Sequence, residues 1–165
     1  MKYNFTLTKI DDINLKKYNV VLKEYKIYIK NILEILLNMP QVQKRPIFDD
    51  CISKIRFDIS FCNNETIHKI NKEYRNKDSV TDVITFSLFC DDENSVIVRK
   101  TADLGQIIIS LQRCDEQKQE TFKKELLTLI IHGILHLFGF DHLTKKDYDF
   151  VVRIQNEIVK ELGNE

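Results

Sequence analysis

Tyr3, Phe5 and Leu7 alternate with Asn4, Thr6 and Thr8, a period of two that predicts an opening strand. From Tyr18 the period lengthens. Tyr18, Val21, Leu22, Tyr25, Tyr28, Ile29, Ile32 and Leu36 recur at helical spacing, and Pro40 ends the run. Ile55, Phe57, Ile59 and Phe61 then alternate with Arg56, Asp58 and Ser60, the cleanest strand pattern in the chain. Asn64 reads as the N-cap of a short helix whose apolar stripe is Ile67, Ile70 and Tyr74. A further strand is expected near Asp82–Phe89, with Ile84, Phe86 and Leu88 on one face, followed by an acidic loop over 91–95. Leu104–Leu111 is nearly all apolar and fits a central strand covered on both faces.

The last third reads as helical. Glu116–Phe138 is apolar nearly all round in its second half, which predicts a buried helix. Gly139 suits a left-handed turn at its end. Thr144 with Asp147 resembles a capping box, opening a final helix that turns Tyr148, Val151, Ile154, Ile158 and Leu162 inward. No repeat, low-complexity tract or linker interrupts these elements. Residues 1–165 therefore read as a single α+β domain, a mixed sheet of about four strands packed against helices, with a buried helix near the C-terminus that carries His132 and His136.

Composition changes this picture little. A length of 165 residues suits one domain, and 43% hydrophobic residues can fill its core. Twenty-five basic and 25 acidic side chains cancel, so composition lends no support to nucleic-acid binding. A local basic groove is still compatible with zero net charge, because steering depends on where charges lie. The first residues are polar and alternating, unlike a signal peptide, and the most apolar run, Leu126–Phe138, is too short to span a bilayer. A soluble, cytoplasmic protein without a membrane partner is expected. Cys51, Cys62, Cys90 and Cys114 are scattered, with no C-x-x-C pair, and read as buried thiols.

The chemistry concentrates in one place. His132 and His136 stand four apart on the predicted buried helix, so both rings leave the same face about one turn apart. Two neutral imidazoles so spaced can reach one ion at roughly 2.0–2.1 Å. The turn at Gly139 lets His142 swing back as a third ligand. Three protein ligands leave a position for water, whose pKa a zinc ion lowers toward about 7. Ordinary core histidines account poorly for this set, since two unpaired imidazoles on an apolar helix carry a desolvation cost. Zn2+ is the expected ion, although three imidazoles also accept nickel, cobalt or copper.

The spacing H-x-x-x-H-x-x-G-x-x-H is also that of metzincin proteases. Those enzymes carry Glu directly after the first His, as general base, and here that position is Gly133. Both methionines, Met1 and Met39, lie upstream, so no Met-turn follows the metal loop. The ligand spacing is present without the peptidase machinery.

A second constellation lies upstream, Asn71-Lys72-Glu73-Tyr74-Arg75-Asn76-Lys77-Asp78 followed by Thr81-Asp82-Val83. An Arg75 guanidinium at the end of the short helix can bind phosphate through two parallel hydrogen bonds. Lys69, Lys72 and Lys77 add a basic bias along which a nucleic-acid backbone can lie. Physics alone favours a solvated helix end, where basic residues suit the dipole in any case. Asp82 and Asp141 are candidates for carboxylates that orient a ligand imidazole, although a capping or turn role explains each equally well.

Taken together, Asn71 to Phe86 and His132 to His142 resemble the YbeY family of metal-dependent endoribonucleases. The segment His-Gly-Ile-Leu-His-Leu-Phe-Gly-Phe-Asp-His matches that family's signature, H-G-x-L-H-L-x-G-Y/F-D-H, and Tyr-Arg, Thr-Asp-Val and Phe86 match its second block. The resemblance implies a zinc-dependent endoribonuclease acting in ribosomal RNA maturation and ribosome quality control. It implies RNA as partner, either ribosomal RNA or the small ribosomal subunit, together with ribosome-assembly proteins. It carries metal binding to His132, His136 and His142, and a substrate-phosphate contact to Arg75. Two departures stand out. Gln106 occupies the position of the family's usual Asp in Leu-Gly-Asp-Ile, and Thr85 replaces the usual Ser before Phe86.

The leading expectation is hydrolysis of an RNA phosphodiester, with His132 as catalytic metal ligand and Arg75 stabilising the developing negative charge. Lys72 and Lys77 would assist in holding substrate. Water or a substrate 2′-hydroxyl serves as nucleophile, and no carboxylate stands where a general base is expected. The competing expectations are a metzincin-like peptidase or amidase, and a non-catalytic assembly factor that uses the metal for stability.

Overall fold

The computed structural model describes residues 1–48, 52–88, 100–140 and 144–162. The opening alternation becomes β1 (Lys2–Lys9), which pairs in parallel with β2 (Lys54–Cys62). The helix between them is shorter than its apolar pattern. Tyr18 belongs to a 3-10 turn, Leu15–Tyr18, closed by Asn19 in the left-handed region at φ 54°, and α1 (Leu22–Leu37) starts after it. Pro40 ends that run and also begins a new turn, α2 (Pro40–Gln43), at the first-turn position where a missing N–H costs nothing.

Asn63, one residue before the expected cap, accepts the amide of Thr66 at 2.8 Å and opens α3 (Asn64–Arg75). Asn64 lies inside the helix and reaches Ser110 and Glu116 instead. β3 (Val83–Ser87) and β4 (Thr101–Ser110) complete a sheet of order β1-β2-β4-β3, in which only β3 runs antiparallel to its neighbour. The apolar run over 107–109 is explained by this position, since β4 is internal and both its faces are covered there, whereas Gly105 and Gln106 are half-buried. Phe89 and the acidic 91–95 stretch lie outside the described residues.

One long C-terminal helix was expected from 116, and two form. α4 (Leu111–Gln117) ends at Lys118, which turns extended, and Thr121 caps α5 (Phe122–Leu137) by accepting the amide of Lys124 at 3.2 Å. α6 (Lys145–Leu162) closes the described chain. Thr144 caps it as expected, accepting from the Asp147 amide at 3.1 Å. The Asp147 carboxylate ion-pairs with Arg45 at 2.5 Å, in place of a return bond to the cap. Phe150, in place of Tyr148, joins Val151, Ile154, Ile158 and Leu162 on the inner face, and Tyr148 is 53% exposed.

The sheet separates two apolar layers. Ile55, Phe57, Ile59 and Phe61 of β2, with Ile107 and Ile109 of β4, face the main core shared with α1, α4, α5 and α6. On the opposite face Cys62, Ile84 and Ile108 pack under Ile67 and Ile70 of α3. Cys62 and Cys114 are buried free thiols, as expected, and burial pushes the Cys62 thiol up to about 12, so it stays protonated and unreactive at neutral pH. Cys51 and Cys90 lie outside the described residues. Among the described residues no helix is long and apolar enough to cross a membrane.

Candidate functional site

α5 is the most deeply seated helix at the sheet, with Leu126, Leu127, Ile130, Ile131, Ile134 and Leu135 fully buried. Gly133 explains how it gets so close. A Cβ there would stand 2.6 Å from Cγ2 of Ile107 on β4, so the glycine lets helix and strand touch. A glycine inside a helix costs about 1 kcal/mol relative to alanine, and close packing offsets that cost here. The absence of a peptidase base at position 133 is thus also a packing requirement.

His132 and His136 sit on the half-buried flank of this helix. Their Nε2 atoms lie 2.9 Å apart, with ring centroids at 4.5 Å. Two nitrogens bound to one ion in this class of site are roughly 2.9–3.4 Å apart, so the pair is already at ligand separation. Gln155, on α6, sets the tautomer. Its Oε1 lies 2.9 Å from Nδ1 of His132, and an amide oxygen only accepts. Nδ1 therefore carries the proton, and Nε2 is left with its lone pair toward His136. This is the arrangement in which an outer partner orients a ligand imidazole.

Sequence reasoning missed Gln155. Its trace was a polar residue beside Ile154 and one turn from Val151 and Ile158, on the inner side of the final helix. Gln155→Leu is expected to weaken transition-metal affinity about 10- to 100-fold, measured by competition with a chromophoric chelator. Unchanged affinity would remove Gln155 from the site.

The end of α5 is closed by a glycine turn. Gly139, at φ +85°, follows the last turn; its amide bonds the His136 carbonyl at 3.0 Å, and the Phe140 amide bonds the Leu135 carbonyl at 3.0 Å. This is the paired closure of a Schellman turn, as Gly139 foretold. The same helix end carries the negative pole of the helix dipole, which favours a cation at His136. His142 and Asp141, the proposed third ligand and its neighbour, lie outside the described residues.

The second constellation divides. Arg75 is the last residue of α3, exposed and without an ion-pair partner among the described residues. Lys77 is exposed as well, whereas Lys72 is engaged with Asp78 at 2.7 Å, alongside His68 at 2.6 Å. Asn71 organises this turn, a second residue that sequence reasoning did not single out. It stands where the stripe through Ile67 and Tyr74 calls for an apolar side chain, is 2% exposed, and donates to the Ser79 carbonyl at 2.9 Å.

Asp82 does not carry the histidine-orienting role in the contacts described. Its carboxylate accepts from the Val83 amide at 2.8 Å and the Gln117 amide at 2.8 Å, and the contact on His132 Nδ1 comes from Gln155. Gln106 bonds Ser60 at 3.2 Å on the α3 face of the sheet, opposite α5. There it lines a groove of about 920 Å³ with Tyr74, Phe86, Arg56, Asp58 and Asp103. The Asp-to-Gln departure therefore falls on the face away from the histidine pair.

An α+β domain that presents two convergent imidazoles from the half-buried flank of a helix offers two nitrogen donors to one cation. Comparison with known proteins narrows the class. Residues 11–163 match the family model described as Endoribonuclease YbeY. Endoribonuclease YbeY of Bacillus pumilus (strain SAFR-032) is 44% identical over 112 residues, covering 64% of this chain and 70% of that protein. The protein of the same name from Bacillus thuringiensis (strain Al Hakam) is 37% identical over 142 residues, covering 82% and 87%. The solution structure of TM1509 from Thermotoga maritima shares the fold, with a TM-score of 0.59 at 24% identity over 96% of this chain and 88% of that one. The chain belongs to the endoribonuclease YbeY family.

Proposed function

We propose that this chain is a zinc-dependent endoribonuclease that cuts ribosomal RNA during its maturation, in the cytoplasm and on or near the small ribosomal subunit. The observation that carries the reading is the convergence of the His132 and His136 Nε2 atoms at 2.9 Å within a chain of this family. His142 completes the ligand set in the proposal. These residues would hold a divalent metal ion, which would supply Lewis acidity and a water acidic enough to react at neutral pH.

The remaining roles belong to the chain's own groups. Gln155 holds His132 in the tautomer that offers Nε2. Arg75 binds the phosphate and stabilises the charge that grows on it, through charge-assisted hydrogen bonds. α3 and α5 both pack against β3, from the two faces of the sheet, and β3 is an edge strand. An RNA strand crossing that edge would meet Arg75 on one side and the histidines on the other. Lys77 would add a phosphate contact, and Lys72 contributes less because Asp78 already neutralises it.

The peptidase reading loses ground on two counts: Gly133 is required for packing, and the relatives are named endoribonucleases. Arg75→Ala is expected to lower cleavage of a ribosomal RNA fragment about 10- to 100-fold, the scale of one hydrogen-bonded charge contact, at unchanged metal content. Arg75→Lys should recover only part of this, because it lacks the two-pronged geometry. Cleavage by Arg75→Ala at the wild-type rate would dismiss the assignment.

A further inference from the structure

The chain's charges balance overall, yet two large grooves among the described residues share them unevenly. The groove under α3 sets Arg56 against Asp58 and Asp103. The other, a cleft of about 990 Å³ between Pro40–Pro46 and the start of α6, holds Lys44, Arg45, Lys145, Lys146 and Arg153. Among the described residues Asp147 and Asp149 oppose them there, and Arg153 is paired with Glu157 at 3.7 Å. Asp147 is already paired with Arg45, whose guanidinium also lies 3.7 Å from the ring centre of Phe140. Lys44, Lys145 and Lys146 are exposed and have no ion-pair partner among the described residues.

Their placement is one that the helix dipole does not favour, with Asp147 in the same turn offsetting it in part. Lys145 and Lys146 occupy the first turn of α6, an 18-residue helix. A helix start presents free N–H groups and a positive dipole end, where acidic side chains are favoured and lysines are not. Gathering a third lysine across the cleft adds like-charge repulsion, and bound anions would relieve both effects. The cleft also shares a helix with the histidine pair: Phe150 and Arg153 of α6 line it, and Gln155 of the same helix contacts His132.

We propose that this cleft binds the phosphate backbone of an RNA strand on one side of the scissile bond, with Lys44, Lys145 and Lys146 each meeting a phosphate. The proposal rests on RNA being the substrate of the histidine site. It adds a second basic surface to the one that Arg75 and Lys77 supply.

The test is fluorescence anisotropy with an unstructured, end-labelled RNA of about 20 nucleotides, long enough to span a groove of this kind and checked as intact by gel after titration. The triple variant Lys44→Glu, Lys145→Glu, Lys146→Glu is compared with Lys23→Glu, Lys26→Glu, Lys30→Glu. The second set makes the same charge change on the exposed face of α1. The cleft triple should raise Kd at least about tenfold at 0.1 M salt. It should also reduce the slope of log K against log salt by about 2, near 0.7 for each lost phosphate. The α1 triple should leave that slope in place. Equal weakening by both triples, or an unchanged slope in the cleft triple, overturns the proposal. So does a polyglutamate peptide that binds the wild type as tightly as RNA, which would make the partner an acidic protein. Wild-type protein that binds RNA through the cleft lysines but never cuts it would sink the catalytic reading and leave the cleft standing. Cleavage with binding indifferent to the cleft would do the reverse.

Discussion

His136→Ala is expected to lower RNA cleavage by about 10³-fold, since the Lewis acid contributes several kcal/mol to the barrier and each 1.36 kcal/mol is a factor of ten. The variant removes one of two nitrogens that stand 2.9 Å apart and leaves His132 fixed by Gln155 with no partner for the ion on its own helix. Bound metal should fall with activity. The fold should survive, because His136 lies on the half-buried flank of α5 while the fully buried positions of that helix are untouched. Thermal melting of metal-free wild type and variant measures this directly, and the two midpoints should agree. A scaffold role for the metal predicts a different pattern: metal-free wild type fails to fold, and RNA cleavage is absent with or without metal.

The largest effect on stability is expected far from the histidines. Gly105 sits at φ +119° opposite Ser87, beside a shift in the β2–β4 register, and a Cβ there would lie 1.9 Å from the Phe86 carbonyl oxygen and 3.2 Å from the Leu88 nitrogen. These are backbone atoms of the paired edge strand, so the clash can be relieved only by moving β3. Positive φ and overpacking each cost about 1–3 kcal/mol, and Gly105→Ala should lose about 3 kcal/mol. For a chain of this size that is a fall in Tm of about 6–12 °C. Gly139→Ala is the control. It also has positive φ, but nothing lies within 4 Å of its Cβ position, so it should cost about 1 kcal/mol. Equal melting of the two variants would show that β3 is free to shift, and would undo the account of Gly105.

The elements most legible in the sequence were those whose pattern has one cause. β1 and β2 alternate because one face of each turns to the main core, and residues 107–109 of β4 read as a continuous apolar run because that strand is internal. The misreadings occurred where a single polar residue outweighs a period. Asn19 in the left-handed region separates Tyr18 from α1, and Thr121 starts a new helix inside what reads as one. Tyr148 fits the apolar spacing of α6 yet points outward, while Phe150 takes the core and stacks on Phe140 at 4.8 Å. Spacing alone has no means of choosing between neighbouring aromatic residues.

The site divides in the same way. His132 and His136 were legible because a period of 3.6 places them on one helix face, and the structure brings their nitrogens together. Gln155 was not, since its value depends on how α6 packs against α5, a contact between residues 23 positions apart. Asp82 was the natural candidate for that role by residue type, but its carboxylate is taken up at the start of β3 by Val83 and Gln117. Arg75 and the histidines read as one site only through family resemblance, because α3 and α5 pack on opposite faces of the sheet.

The histidine pair is proposed to hold a metal on which RNA cleavage depends. Protein stripped by a chelator, desalted, and incubated with a ribosomal RNA fragment before and after one equivalent of Zn2+ tests it most directly. The account predicts no cleavage by the stripped protein, restored cleavage at one equivalent, and no restoration in His136→Ala. Full cleavage by protein verified as metal-free would contradict it.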